Sequence, residues 1–162
     1  MPMVTKQPNS RMCFVCGLQN PIGLKMAFYQ TPEGECLTRV TPGDEYQGYP
    51  GILHGGIVTA ILDETLGRAI IGTVDCFAVT AKFEVKFHHP VPTGYPLIAR
   101  GRITRQRTRT FEASGELILE DGTVAASASG MYIRLPAAEM ERARRELGFW
   151  AVVPDEEPVT FD

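Results

Sequence analysis

One long apolar segment, set among short stretches of alternating residues, constrains the fold of this chain most. The segment 55–71 is mostly apolar and is predicted to be a buried α-helix. Strands are predicted on both sides of it, at 24–30, 36–41, 77–87, 97–107, 111–120 and 123–135. A single apolar helix and an antiparallel sheet bury each other best if the sheet curls around the helix. The predicted fold class is therefore α+β, with one long central helix wrapped by a curved antiparallel β-sheet.

The strand 77–87 has the clearest alternation, because every second residue from Phe77 to Phe87 is apolar. This pattern predicts a half-buried antiparallel strand. It also predicts that Thr80 lies on the polar face, opposite Val79 and Phe83. Further along the chain, the Asp-Gly pair at 121–122 predicts a tight hairpin between the last two strands.

Length and composition limit the remaining possibilities. The chain has 162 residues, enough for one domain with a sizeable core. We predict an irregular segment at 1–23, a domain at 24–136, and a short charged helix (137–147) followed by a loose tail within 137–162. The net charge of −3 gives no general attraction to nucleic acid or membranes. No apolar run approaches the ~20 residues of a membrane span, and the N-terminus lacks the apolar core of a signal peptide. We therefore expect a cytoplasmic protein with reduced cysteines.

A C-x-x-C motif lies near the N-terminus, at Cys13 and Cys16. A zinc site usually needs about four ligands, whereas Cys36 and Cys76 stand alone. A redox C-x-x-C usually begins a helix, but turn residues follow this one. A structural turn is favoured over the metal and redox alternatives, and neither a metal nor another cofactor is expected.

Three stretches resemble the PaaI-like branch of the hotdog-fold acyl-CoA thioesterases. They are "CFVCGLQNPIGLKMAFY" (13–29), "YQGYPGILHGGI" (46–57) and "HPVPTGYPL" (89–97), together with an acid nine residues after the His of "HGG". The resemblance covers about residues 13–135. It implies a hotdog fold and the hydrolysis of an acyl-CoA thioester to a free acid and CoA.

The resemblance also implies roles for individual residues. In this family, backbone amides at the helix start hold the thioester carbonyl, and a carboxylate on the helix activates water or attacks the carbonyl. By position these roles belong to Gly55 and Gly56, and to Asp63. A Ser or Thr on the following strand often assists, and Thr80 is the best match.

The loop before the helix departs from the family pattern. Many members have Asn or Gln six residues before the motif His, where this chain has Gly48. A one-residue insertion in the loop would transfer that role to Gln47. His54 is predicted to order the helix start through its ring, either as a catalytic group or as a partly buried histidine with satisfied hydrogen bonds.

Two adjacent acids in the helix differ in their surroundings. Glu64 comes four residues before Arg68, which predicts an exposed ion pair. Asp63 has no basic residue three or four positions away, and its helix face otherwise carries small residues. Such a face leaves room for a ligand or for a second helix. Partial desolvation there would suit Asp63 to act as a base.

Helix geometry separates Asp63 from the glycines at the helix start. Gly56 and Asp63 are seven residues apart, or roughly 10 Å at about 1.5 Å per residue. Both must reach one carbonyl group in a catalytic site. Antiparallel helices from two subunits can meet this requirement, so catalysis predicts a homodimer. The resemblance implies the same arrangement, and often a homotetramer.

Arginines are concentrated in the segment 100–109, and two interpretations stay open. The guanidinium groups could dock the phosphates of CoA, or they could form a solvated strand face paired with Glu112 and Glu116. The patch is short and has no interleaved aromatic residues, so nucleic-acid binding is not favoured. The segment also contains Arg109. The candidate substrate-binding residues are Arg100, Arg102, Arg105 and Arg107, with Tyr49 in an apolar loop (Tyr46, Tyr49, Ile52) predicted to line an acyl pocket.

Three classes of function follow from these residues. Thioester hydrolysis is favoured. A non-catalytic acyl-CoA-binding or regulatory protein would keep the arginines and the helix amides, but would not need Asp63. A dehydratase or hydratase would need a histidine with an acid, for which His88 and His89 form the available pair.

Overall fold

The computed structural model describes residues 3–161 and contains two α-helices and nine strands in that range. The elements, in chain order, are β1 (Thr5–Lys6), β2 (Asn9–Ser10), β3 (Phe28–Gln30), β4 (Cys36–Val40), α1 (Gly55–Val74), β5 (Ala78–Phe87), β6 (Leu97–Gln106), β7 (Thr110–Ile118), β8 (Val124–Arg134), α2 (Ala137–Glu146) and β9 (Trp150–Ala151).

Seven strands form one antiparallel sheet in the order β1-β3-β4-β6-β7-β8-β5. Helix α1 contacts every strand from β3 to β8 on one face of this sheet, so the sheet curves around it. The predicted α+β architecture, with one long helix wrapped by a curved antiparallel sheet, is confirmed. No helix within residues 3–161 is long and apolar enough to span a bilayer.

The core lies between α1 and the concave face of the sheet. Leu66, at the middle of this interface, is fully buried and faces two strand glycines. A Cβ atom on Gly101 would lie 3.1 Å from Leu66 Cδ1, and one on Gly115 only 2.6 Å from it. These glycines therefore let the helix approach β6 and β7 closely. The other fully buried apolar side chains of α1 include Val58, Ile61, Leu62, Ala69 and Ile70.

Strand β5 forms one edge of the sheet and is unpaired on its outer side within the described chain. It is ten residues long. Val79 and Phe87 leave about half of their surface exposed on it. A long edge strand with exposed apolar residues is a surface that usually pairs with another chain.

The two ends of the chain are more ordered than the sequence predicts. β1 extends the main sheet, and β2 pairs with β9, so the segments predicted to be irregular and loose form a second, two-stranded sheet. The Phe161 ring packs edge-on against Tyr29, with 5.3 Å between ring centres, and Asp155 accepts a hydrogen bond from the Tyr29 hydroxyl. The prediction of a loose tail is therefore wrong, because one aromatic contact and one hydrogen bond hold this tail against β3.

Candidate functional site

The start of α1 is capped by a histidine in place of the usual Ser, Thr, Asp or Asn. His54 Nδ1 accepts a hydrogen bond of 2.8 Å from the Gly56 N–H, and the His54 carbonyl accepts from Ile57 and Val58. A Cβ atom on Gly56 would lie 3.0 Å from Nδ1, so a glycine leaves room for the ring. The Gly56 amide, expected to be open to a ligand, is thus occupied by the cap. The Gly55 N–H has no hydrogen-bond partner among residues 3–161.

Asp63 lies in the middle of α1, where two hydroxyl groups converge on one oxygen of its carboxylate. Oδ1 accepts from Thr80 Oγ1 at 2.8 Å and from the Tyr132 hydroxyl at 3.0 Å. The Tyr132 hydroxyl is also 3.1 Å from the Asp63 backbone carbonyl. Burial raises the pKa of Tyr132, and the Asp63 carboxylate raises it further, so the phenol stays a donor.

A β-bulge in β5 brings Thr80 to Asp63. The register shifts between Thr80 and Lys82, so Thr80 lies opposite Tyr132 while Phe83 lies opposite Gly130. Residues 130 and 132 share one face of β8, and Thr80 and Phe83 therefore share a face as well. The prediction that Thr80 lies on the polar face, opposite Phe83, is wrong because simple alternation ignores the extra residue.

Tyr132 was not identified from the sequence as a site residue. It belongs to the predicted strand 123–135, and only about 2% of its surface is exposed. Gly130 makes room for it, since a Cβ atom there would lie 2.8 Å from Tyr132 Cε2 and 2.9 Å from Phe83 Cδ2. The alternation of the strand places Tyr132 inward, but no local pattern links its hydroxyl to Asp63.

A cleft of about 470 Å³ opens beside Asp63. Asp63, Thr80 and Tyr132 form one part of its wall. Helix α2 and β9 form another part, so the C-terminal segment contributes to the candidate site. The large apolar side chains that line the cleft are Ile71, Phe77, Leu147 and Trp150.

A second set of polar side chains in this cleft is centred on Glu64. Its carboxylate accepts a hydrogen bond of 3.0 Å from Arg68 Nε, but only 1% of the Arg68 side chain is exposed. The guanidinium lies between the Phe28 and Trp150 rings, 4.9 and 4.8 Å from their centres. The predicted ion pair is present, whereas its predicted exposure is wrong, because the aromatic rings cover the guanidinium. Burial raises the pKa of Glu64 to about 7, against the opposing effect of Arg68.

The C-x-x-C turn packs against Glu64. Cys13 Sγ lies 3.9 Å from Glu64 Oε2, and Cys16 Sγ lies 3.3 Å from Ser10 Oγ. A hydrogen bond from the Cys13 thiol and the charge of Arg68 both lower the pKa of Cys16. All four cysteines are free thiols.

Arg100, Arg102 and Arg105 lie on the face of the sheet away from α1, whereas Arg107 and Arg109 lie in the turn between β6 and β7. Arg100 alternates with buried Ala99 and Gly101, and it forms an ion pair of 2.7 Å with Glu116 across the hairpin. For Arg100, this ion pair agrees with the second interpretation, a strand face paired with acidic residues, rather than with phosphate docking. Arg105 lies opposite Glu112 in the register. The remaining arginines of the segment are exposed: Arg102, Arg107 and Arg109.

The other candidate residues lie away from the cleft of their own chain. Gln47 is exposed in the loop before α1 and pairs through its backbone with Leu53. Tyr49 is 79% exposed and does not line the cleft. His88, just after the end of β5, has its Nε2 atom 2.9 Å from Ser127 Oγ. It is not paired with the Asp63 carboxylate, which accepts hydrogen bonds from other side chains.

Comparisons with known proteins agree with this architecture. Residues 50–126 match the family model described as "Thioesterase superfamily". The acyl-coenzyme A thioesterase THEM4 of Bos taurus is 25% identical over 124 residues, which cover 75% of this chain and 51% of that protein. The chain therefore spans about half the length of that curated relative.

Solved structures show the same fold. A crystal structure of RHA08564, a thioesterase superfamily protein, superposes with a TM-score of 0.71 at 28% identity, covering 76% of this chain and 60% of that one. The E. coli PaaI protein superposes with a TM-score of 0.64 at 19% identity, covering 70% and 81% of the two chains. With its central helix and its curved sheet, this chain has the hotdog fold, and its residues 50–126 are similar to the thioesterase superfamily.

Proposed function

We propose that this chain hydrolyses an acyl-CoA thioester to a free acid and CoA, at a site shared between two copies. The observation that supports this most is the pair of hydroxyl donors, from Thr80 and Tyr132, on Asp63 Oδ1 beside a largely apolar cleft. Asp63 Oδ2 has no hydrogen-bond partner among residues 3–161. Two donors fix the carboxylate and leave the second oxygen available for chemistry. The names of the curated relatives support an acyl-CoA substrate.

In the proposed reaction, Asp63 acts on the thioester carbonyl carbon in one of two ways. Its free oxygen takes a proton from a water molecule as that water attacks the carbon, or it attacks the carbon itself. The carbonyl oxygen gains negative charge, which backbone N–H groups at a helix start stabilise. The C–S bond then breaks, and CoA leaves as a thiolate that takes up a proton. Where Asp63 itself attacks, the acyl group remains on its carboxylate as an anhydride, which water hydrolyses to release the acid.

The helix start offers two amides to that oxygen. The Gly55 N–H is available, while the Gly56 N–H binds the His54 ring. All three residues are exposed. We infer that a bound carbonyl oxygen takes the Gly55 amide and displaces the His54 ring from Gly56. His54 then serves to cap the helix when no ligand is bound.

The edge strand β5 provides a geometric reason for two copies. At one end of β5, Thr80 is hydrogen-bonded to Asp63. At the other end, Phe87 lies beside the helix start, since its Cζ atom would be 3.5 Å from a Cβ atom on Gly55. If two copies pair through β5 in antiparallel fashion, the Phe87 end of one lies near the Thr80 end of the other. Each helix start then faces the Asp63 of the second copy. The partly exposed small residues beside Asp63 on α1 leave room for this contact.

The Asp63→Asn substitution tests the catalytic role directly. It is nearly isosteric and keeps an oxygen that can accept from Thr80 and Tyr132, so folding should be unchanged. Loss of the base or nucleophile should reduce thiol release from acyl-CoA by about 100-fold or more. Asp121→Asn, in the exposed β7–β8 turn, is the matched control and should keep full activity. Wild-type turnover by purified Asp63→Asn would remove Asp63 from the mechanism.

Mixed dimers test the shared site. Gly56→Val should be inactive, because its side chain would press on the His54 ring and cover the helix amides. In a dimer that combines Gly56→Val with Asp63→Asn, one site carries both lesions and the other carries neither. Random pairing at equal ratio gives about half mixed dimers, so activity should return to roughly a quarter of the wild-type value. Verified mixed dimers without activity above the parent variants would rule out the shared site.

A non-catalytic acyl-CoA-binding protein is the second candidate, since it would use the same cleft and helix amides. It predicts thermal stabilisation by acyl-CoA without thiol release. A panel of acyl-CoA esters of different chain length, assayed for both properties, separates the two functions and identifies the preferred acyl group.

A further inference from the structure

Three groups that bind metals converge in the cleft beside Asp63, in addition to the residues proposed for hydrolysis. Cys13 and Cys16 come from the N-terminal turn, and Glu64 comes from the middle of α1. Their Sγ and carboxylate oxygen atoms all lie within 4.8 Å of one another. We name these residues the Cys13–Cys16–Glu64 cluster. All three line the cleft, so an ion can reach them from solvent.

We propose that the Cys13–Cys16–Glu64 cluster binds one zinc ion. Two thiolates and one carboxylate are ligands that zinc prefers, and they would occupy three of its four tetrahedral positions. The fourth position would hold water from the cleft. The sequence alone argued against a metal, because a single C-x-x-C supplies two ligands. The fold supplies the third from a residue far along the chain.

The surroundings of the cluster orient its ligand atoms. Cys13 Sγ accepts hydrogen bonds from the Val15 and Cys16 N–H groups, at 3.4 and 3.5 Å. Ser10 Oγ lies 3.3 Å from Cys16 Sγ. Such hydrogen bonds stabilise thiolates and fix their direction, as the groups around a metal site do.

The Glu64 carboxylate divides its two oxygens between two tasks. Oε1 accepts the hydrogen bond from Arg68 Nε, whereas Oε2 faces Cys13 Sγ at 3.9 Å. Arg68 therefore holds the carboxylate by one oxygen and turns the other toward the sulfur atoms. This leaves Oε2 for an ion.

Charge balance favours the divalent ion in this buried place. Two thiolates and one carboxylate carry three negative charges, and the buried Arg68 guanidinium carries one positive charge. A divalent cation brings the total to zero, which removes the cost of leaving an unpaired charge in the interior.

Gly17 permits the tight turn behind the ligands, because a Cβ atom there would lie 2.4 Å from the Cys13 carbonyl oxygen.

A bound ion would join the N-terminal turn to α1. Metal affinity at such a site becomes folding stability, since the unfolded chain does not hold the ligands together. The proposal is independent of hydrolysis, and it can be tested on protein with no measured activity.

The first test uses the wild-type chain, reduced and freed of metal with a chelator, and Co²⁺ as the probe. One equivalent of Co²⁺ should give a thiolate-to-metal charge-transfer band, and one equivalent of Zn²⁺ should abolish it. Zn²⁺ should also protect Cys13 and Cys16 from alkylation, as read by mass spectrometry. Absence of the band at one equivalent, or alkylation unchanged by Zn²⁺, would overturn the proposal.

Variants identify the ligands. Cys13→Ser and Cys16→Ser should each lose the one-equivalent band. Glu64→Gln, which keeps an oxygen for Arg68, should weaken binding by about tenfold or more. Cys76→Ser is the matched control, because Cys76 is buried outside the cluster and should leave the band unchanged. A band that persists in folded Cys13→Ser, or that disappears in folded Cys76→Ser, contradicts the assignment.

Discussion

Replacing Tyr132 by Phe removes one hydroxyl and keeps the buried ring, so it isolates the hydrogen bond to Asp63. Tyr132 is almost completely buried, and its hydroxyl lies 3.0 Å from Asp63 Oδ1. A hydrogen bond to a charged group contributes roughly 1.5–3 kcal/mol, and each kcal/mol shifts the Tm of a domain of this size by about 2–4 °C. We therefore expect Tyr132→Phe to lower the Tm by roughly 3–12 °C.

The same substitution should affect catalysis if Tyr132 positions Asp63. Asp63 Oδ1 keeps Thr80 as its second donor, so the carboxylate is loosened and not released. We expect kcat for acyl-CoA hydrolysis to fall about tenfold, which corresponds to about 1.4 kcal/mol of activation free energy, with KM nearly unchanged. Thiol release under saturating substrate measures kcat, and differential scanning calorimetry measures the Tm.

Tyr29→Phe is a matched control for this effect. The Tyr29 hydroxyl also donates to a carboxylate, Asp155 Oδ2 at 2.8 Å, and its ring is also buried, but it lies outside the cleft. The Tyr29→Phe variant should show a decrease in Tm in the same range as Tyr132→Phe, with kcat unchanged. If both variants lose activity equally, the effect is a general loss of stability. If Tyr132→Phe keeps full kcat, Tyr132 does not position Asp63.

Two further predictions concern the sheet. Gly115→Ala should lower the Tm by several degrees through overpacking of about 1–3 kcal/mol, because its Cβ would lie 2.3 Å from the Arg100 carbonyl oxygen. Gly67→Ala is the control, because the nearest contact of its Cβ would be at 3.8 Å. Equal melting temperatures of the two variants would refute the argument. If the exposed arginines dock phosphates, Arg102→Ala and Arg105→Ala should each raise KM for CoA esters about tenfold, the effect of losing one charge-assisted hydrogen bond. Hydrolysis of a short thioester without the nucleotide should be unchanged, and equal losses on both substrates would argue against this role.

Local sequence patterns are sufficient to predict the order of most of the elements. Alternation predicted β5 to within a residue, and the apolar segment predicted α1 from its first residue, although the helix continues to Val74. The turn at Asp121–Gly122 was predicted by residue type, and Gly122 adopts the positive φ (87°) that such a turn requires. These features depend on residues close together in the chain, so a local pattern reveals them.

Which side chains meet at the candidate site depends on the packing of distant segments, which local patterns do not reveal. One bulge in β5 turned Thr80 from the predicted polar face toward Asp63, since a shift of one residue moves side chains to the opposite face. Tyr132 reaches the same carboxylate from β8, and Glu64 reaches the Cys13–Cys16 turn from α1. Neither contact has a local signature, because the partners are far apart in sequence and are brought together by the packing of the helix against the sheet.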